Sequence, residues 1–111
     1  MLAAGDIVLA GFPYAETQRM KYRPALVISE KSFHEVYGIC WVAMIISVDN
    51  EPWEGDVRVP AGAKSGLAKT SVIRPAKIAT LDVMVVEKIG GVPRSVLSRV
   101  TEYIGAHMAK R

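Results

Sequence analysis

No apolar run in this chain is longer than about nine residues, and nearly every one ends at Gly, Pro or an Asp-Asn pair. The runs are "DIVLAGF" (6–12), "RPALVIS" (23–29), "ICWVAMIIS" (39–47) and "DVRVP" (56–60). "TSVIRPAKIATL" (70–81) reads as two short strands broken near Pro75. Short runs rich in Val and Ile, separated by turn residues, predict a mainly β fold, a small barrel or sandwich. The period changes at the end: Val92, Val96, Leu97, Val100, Tyr103 and Ile104 recur at threes and fours, predicting an amphipathic helix over "PRSVLSRVTEYIGAHMAK". Pro93 suits its first turn, where a missing N–H costs nothing.

The length of 111 residues suits one domain over 1–111 with a real core, and there are no internal repeats or linkers. Apolar residues at 50% and charged residues at 23% exclude a wholly disordered chain. A net charge of +3 permits an anionic partner without requiring one. The one cysteine, Cys40, lies in an apolar run and reads as a small buried hydrophobe. One Cys and two distant His residues form neither a disulfide framework nor a zinc site. The N-terminus has no charged leader, and no apolar run is long enough to span a bilayer, so a soluble, cytoplasmic protein is expected.

The unusual chemistry lies between the first two strands. "PYAETQRMKY" (13–22) is longer than a hairpin needs and is polar and cationic, so it is a candidate binding element. Pro24 biases Arg23 towards extended backbone, which places a fork of N–H donors at the mouth of a strand, where it can grip a phosphate. The competing reading is that Arg23 pairs with an internal carboxylate such as Asp6 or Asp82. Arg74 has the same setting, directly before Pro75. Phe12, Tyr14 and Tyr22 flank the loop and can stack on bases or close the barrel end, the latter being the expectation for Phe12. Trp41 reads as core. Trp53, in the acidic stretch "DNEPWEGD", suits contact with a protein partner better than contact with RNA. His34 and His107 read as surface residues. Lys64 and Lys69 suit backbone contacts on a nucleic acid, or are simply solvated.

"GDIVLAGFPY", "YRPALVIS" and "GLAKTSVIRPAKIATLD" (66–82), in this order and followed by a helix, resemble the MazF/PemK family, the toxin halves of bacterial toxin–antitoxin pairs. The resemblance runs through most of the chain. It implies an SH3-like β-barrel with packed helices, a homodimer, and metal-independent endoribonuclease activity on single-stranded RNA, with no cofactor. It also implies a cognate antitoxin that lays a segment across the RNA groove, with operator DNA met only through the antitoxin complex.

Residue by residue, the resemblance implies Arg23 and Arg74 as catalytic, flanking the scissile phosphate, with Ser47 assisting as a third catalytic residue. It points to Thr17, Arg19, Lys21, Tyr22 and Lys69 for RNA binding. Two departures stand out. The family's threonine at the end of the third strand is Ile46 here, with Ser47 one position later. An aspartate found in some members two residues after the second arginine is Ala76. Side chains alternate on a strand, so Ser47 replaces the threonine only if a bulge or slipped register turns it inward. The family's occasional first-loop histidine is also absent, with Thr17 near that place. An RNA- or antitoxin–operator-binding module with weak or no cleavage therefore stands as the alternative. A relative aimed at a protein such as gyrase has no support in these motifs.

Overall fold

The computed structural model describes residues 1–13 and 20–110. Six antiparallel strands form one sheet curled into a half-barrel: β1 (Asp6–Pro13), β2 (Met20–Val27), β3 (Ile39–Ser47), β4 (Val57–Val59), β5 (Ser71–Asp82) and β6 (Val86–Gly91). The strand order is β4-β5-β3-β2-β1-β6. Two helices complete the fold, α1 (Lys31–Tyr37) between β2 and β3, and α2 (Arg94–His107) after β6. Among the described residues no helix is long and apolar enough to cross a membrane.

Strand alternation gives the sheet two apolar faces. On the first, Ile7, Leu26, Ala43, Ile45, Val57, Val59 and Ile73 pack with Leu67 and with Val96, Leu97, Val100 and Ile104 of α2. The three-and-four spacing thus marks the buried stripe of α2, as expected. Pro93 stands at the N-cap with extended backbone rather than in the first turn. On the second face, Val8, Ala25, Val27, Cys40 and Val42 pack with Leu2, Met44, Ala79, Leu81, Val83 and Val86. Cys40 is fully buried there, and burial, with the Asp82 charge as a smaller cause, pushes its thiol up from its ordinary pKa. The folded protein should therefore resist iodoacetamide at neutral pH and react fully once denatured, as read by intact mass.

Several elements differ from the sequence reading. β2 begins at Met20, and the β1–β2 hairpin stays paired out to Pro13–Met20, so Lys21 and Tyr22 stand on a strand rather than in a loop. α1 has only seven residues, too few for a periodic signal, and ends on Gly38 at φ 68°, whose N–H bonds the His34 carbonyl. His34 is buried, against expectation. Its Nδ1 meets the Leu2 carbonyl at 3.1 Å, so that nitrogen carries the proton, and its Nε2 meets Ser29 Oγ at 2.6 Å. His107 is exposed as expected, stacked on Tyr103. Trp41 is half-exposed rather than core, with Phe33 of α1 packed on its ring at 4.5 Å.

β5 is one twelve-residue strand, not two. Its pairing with β3 jumps from Ala43–Ile78 to Met44–Arg74, leaving Pro75, Ala76 and Lys77 as a bulge. The missing N–H of Pro75 falls where the ladder is already interrupted. β6 follows a 3-10 turn at Val83–Val85 whose first N–H groups include one capped by Asp82. The 60–66 loop seats against β6 with no room to spare. Cβ atoms added at Gly66 or Gly90 would overlap the backbone of Ile89 or Ser65. At Gly66 the φ of +74° requires glycine as well.

Candidate nucleic-acid interface

Both Arg-Pro pairs mark places where pairing with β3 stops. The β2–β3 ladder runs from Val27–Val42 to Ala25–Met44 and ends one residue short of Pro24. On the other side of β3 the bulge begins at Pro75. β2 and β5 both neighbour β3, so the two arginines flank it from either side. They also share a face. Arg74 is opposite Met44, which belongs to the second face, and Arg23 alternates with Ala25 and Val27 of that same face.

The register, continued two residues past Ala25–Met44, brings Arg23 level with Ile46. Ile46 is itself opposite Val72, and Val72 is opposite Arg58. On the other side Arg23 is opposite Ala10, and Ala10 is opposite Val86. Two paired rows, Arg58–Val72–Ile46 and Arg23–Ala10–Val86, therefore lie level with each other, separated where the pairing of β2 with β3 has ended.

The two arginines differ sharply in how they are held. Arg23 is half-buried, and its guanidinium makes no hydrogen bond or ion pair with the described residues. The proposed internal partners are engaged elsewhere: Asp6 pairs with Lys88 at 3.2 Å and accepts the Ala3 N–H, while Asp82 caps the 3-10 turn. Arg74 is buried. Its Nε and Nη2 donate to the two oxygens of Asp56 at 3.1 and 3.0 Å, and Nη2 also donates to the Glu51 carbonyl at 2.8 Å. The Trp53 ring lies over the guanidinium at 4.0 Å. Trp53 is thus a cover for Arg74, in addition to being half-exposed to solvent. Burial alone would raise the Asp56 carboxyl. The hydrogen bonds from Arg74 and from the Trp53 N–H, with the charge of Arg74, outweigh it and hold the group below the usual carboxylate range.

Ser47 does not turn inward. The irregularity lies between Ala43 and Met44, and from Met44 to Ser47 the pairing is regular. Alternation puts Ile46 on the arginine face and Ser47 on the other, paired with Ser71. The Ser47 hydroxyl donates to the Asp49 carboxylate at 3.3 Å and accepts the Asp49 N–H. At the strand end it still lines a pocket of about 190 Å³ together with Ile46, Asn50, Arg58, Val72 and Arg74. Tyr22 is exposed at 64%, and Lys21 and Lys69 are exposed. Thr17, Arg19 and Tyr14 lie outside the described residues, as does the side chain of Phe12.

Sequence reasoning missed Asp56, which reaches Arg74 from 18 positions away with no local signal. Arg58 had a signal that went unused. Its flanking Val57 and Val59 are buried, so alternation turns the charge to the open face.

A model of the PemK-like, MazF-like toxins of type II toxin–antitoxin systems matches residues 3–108. The chain belongs to this family. Among solved structures, the MazF crystal structure (Form-I) from Deinococcus radiodurans is 25% identical, with a TM-score of 0.76 over 95% of this chain and 94% of that one. The MazE-MazF structure (Form-II) from the same organism is 26% identical, with a TM-score of 0.77 over 95% and 93%. An endoribonuclease in complex with its cognate antitoxin from Mycobacterial species gives a TM-score of 0.73 over 96% and 93%. At 11% identity it speaks for the shared MazF fold alone. No match was found among curated protein sequences. The curled six-stranded sheet with its C-terminal helix is the architecture of MazF-like toxins.

Proposed function

We propose that this toxin is a metal-independent endoribonuclease that cuts single-stranded RNA within short sequences and is neutralised by a cognate antitoxin. The observation that carries the reading is the pair of arginines on one sheet face, one of them held and the other without a partner among the described residues. Family membership supports it, since MazF/PemK toxins are endoribonucleases. The MazE-MazF relatives support a proteinaceous antitoxin as partner, and a homodimer of this one domain is proposed on the family resemblance.

In such a reaction the RNA's own 2′-hydroxyl attacks the adjacent phosphorus, the 5′-oxygen leaves, and a 2′,3′-cyclic phosphate remains. The protein has to hold the strand in line and stabilise the extra negative charge on five-coordinate phosphorus. Arg23, with its donor fork unoccupied by the described residues, takes that charge. A guanidinium has donors and no acceptor, so it stabilises charge and is unsuited to removing the 2′-proton. Arg74 is proposed to act with Arg23 through its remaining N–H donors, its direction fixed by Asp56, Glu51 and Trp53 and its charge largely balanced by Asp56. The exposed Lys21, Tyr22 and Lys69 are proposed RNA contacts, Tyr22 through base stacking. Thr17 and Arg19 are proposed with them on the resemblance alone.

Purified protein should cut a long single-stranded RNA in excess EDTA, leave 2′,3′-cyclic ends and spare DNA of the same sequence, which has no 2′-hydroxyl. Absence of cleavage under conditions where RNA is bound would reject the enzyme.

Ile46 favours a second reading. It occupies the place between the arginine strands where the family carries a hydroxyl, and Ser47 faces away. A toxin fold retained for binding RNA or the antitoxin–operator complex would look like this. Expression without an antitoxin separates the two, because the enzyme arrests growth of a bacterial host and the binding module does not.

A further inference from the structure

We infer that Arg58 is the outer phosphate contact of the RNA track, a substrate-positioning residue at one end of the cross-strand row, three strands away from Arg23. The inference takes its ligand, single-stranded RNA, from the proposed function.

Three observations converge on it. Arg58, Val72 and Ile46 are directly opposite one another on β4, β5 and β3, and Arg23 on β2 is level with them. Four neighbouring strands, about 4.8 Å apart where they are paired, put the two arginines on the order of 15 Å apart at their Cα atoms, about two nucleotides of an extended strand. Arg58 is exposed, and no ion pair or hydrogen bond to its side chain exists among the described residues. It also lines the 190 Å³ pocket with Arg74, Asn50 and Ser47, so a recess able to receive part of a nucleotide opens beside the guanidinium.

The electrostatics of that recess favour an anion despite Asp56 in its wall. Both Asp56 oxygens accept from Arg74, and one also accepts the Trp53 N–H, so the pair is internally neutralised. Arg58 remains as the uncompensated charge. Between the two arginines the floor is the Val72 and Ile46 side chains, which offer no competing donors or acceptors. A strand laid along the row meets cation, apolar floor and cation in turn. It runs across the β-strands rather than along them.

The test uses the whole protein on a long single-stranded RNA, with kcat and KM measured for wild type, Arg58→Ala and Arg58→Lys at several NaCl concentrations. Binding to the same sequence fully 2′-O-methylated, and so uncleavable, is followed by fluorescence anisotropy. Arg58→Ala should raise KM about five- to tenfold, with the loss falling on KM rather than kcat. The slope of log affinity against log salt should become shallower by about 0.7, the value for one phosphate contact on a single strand. Arg58→Lys should keep the wild-type slope.

Cleavage by the wild type with an unchanged KM and salt slope in Arg58→Ala would overturn the role of Arg58 and leave the ribonuclease intact. Salt-dependent binding that needs Arg58, in a protein that cuts nothing, would support the track and reject the enzyme. A wild-type protein that neither binds nor cuts RNA would overturn both.

Discussion

Arg23→Ala should lower the rate of RNA cleavage by about 10²–10³-fold, the loss expected when one preorganised donor to a developing anion is removed. The folded structure has little stake in this side chain. Arg23 bonds none of the described residues, so melting temperature should barely move. That separation of activity from stability is what makes the variant informative. Arg23→Lys should recover only part of the rate, because an ammonium supplies charge without the planar fork that spans two phosphate oxygens. The measurement is single-turnover cleavage beside a thermal melt. A rate within threefold of wild type would remove Arg23 from the reaction centre.

The second large effect is on stability. Asp56→Ala should destabilise the protein by about 3 kcal/mol, because it leaves a buried guanidinium without its carboxylate. For a domain of this size that corresponds to a drop of roughly 10 °C in melting temperature. The double variant Asp56→Ala, Arg74→Met should recover much of the loss, since it removes the orphaned charge as well.

The pH dependence follows from the direction of the Asp56 shift. Its folded pKa lies below the unfolded value of about 3.9, so its stabilisation is complete above pH 4 and is lost as pH falls through the folded value. Wild type and Asp56→Ala should therefore differ most near neutrality and converge in strong acid. Urea unfolding at pH 7 and pH 3 measures this. A constant gap would mean that Asp56 acts through packing and not through its charge.

What the chain discloses by itself depends on how far apart the cooperating residues are. β1, β2 and β3 are short apolar runs closed by turn residues, β4 alternates over neighbouring positions, and α2 shows its buried stripe within two turns, so these elements are legible. Arg23 and Arg74 were legible because a following proline leaves a local mark. β6 was not, since "VEKIGG" offers two apolar residues and then glycines that serve close backbone approach. His34 looked like a surface residue until Leu2, 32 positions away, supplied its acceptor. The acidity of the Trp53 loop is partly balanced in the same long-range way. Its Asp56 does not repel an anion as a free carboxylate would, because Arg74 already occupies it. Trp41 shows the limit of composition, lying in the most apolar run yet facing Phe33 at the rim.

The bulge at Pro75–Lys77 works like a frame shift written into a strand. Three residues is an odd number, so the parity of inward and outward positions is reversed across it. Ahead of it, odd-numbered Ile73 faces α2 and even-numbered Arg74 faces the opposite side; beyond it, odd-numbered Ala79 and Leu81 face that opposite side. One continuous β5 can in this way contribute to two cores and still deliver a cation to the open face. Substitutions within the bulge are local events, whereas losing or gaining a single residue there would exchange the faces of half the strand. Two changes in length that cancel would restore the phase, which makes this segment one where sequence can vary in character but not freely in length.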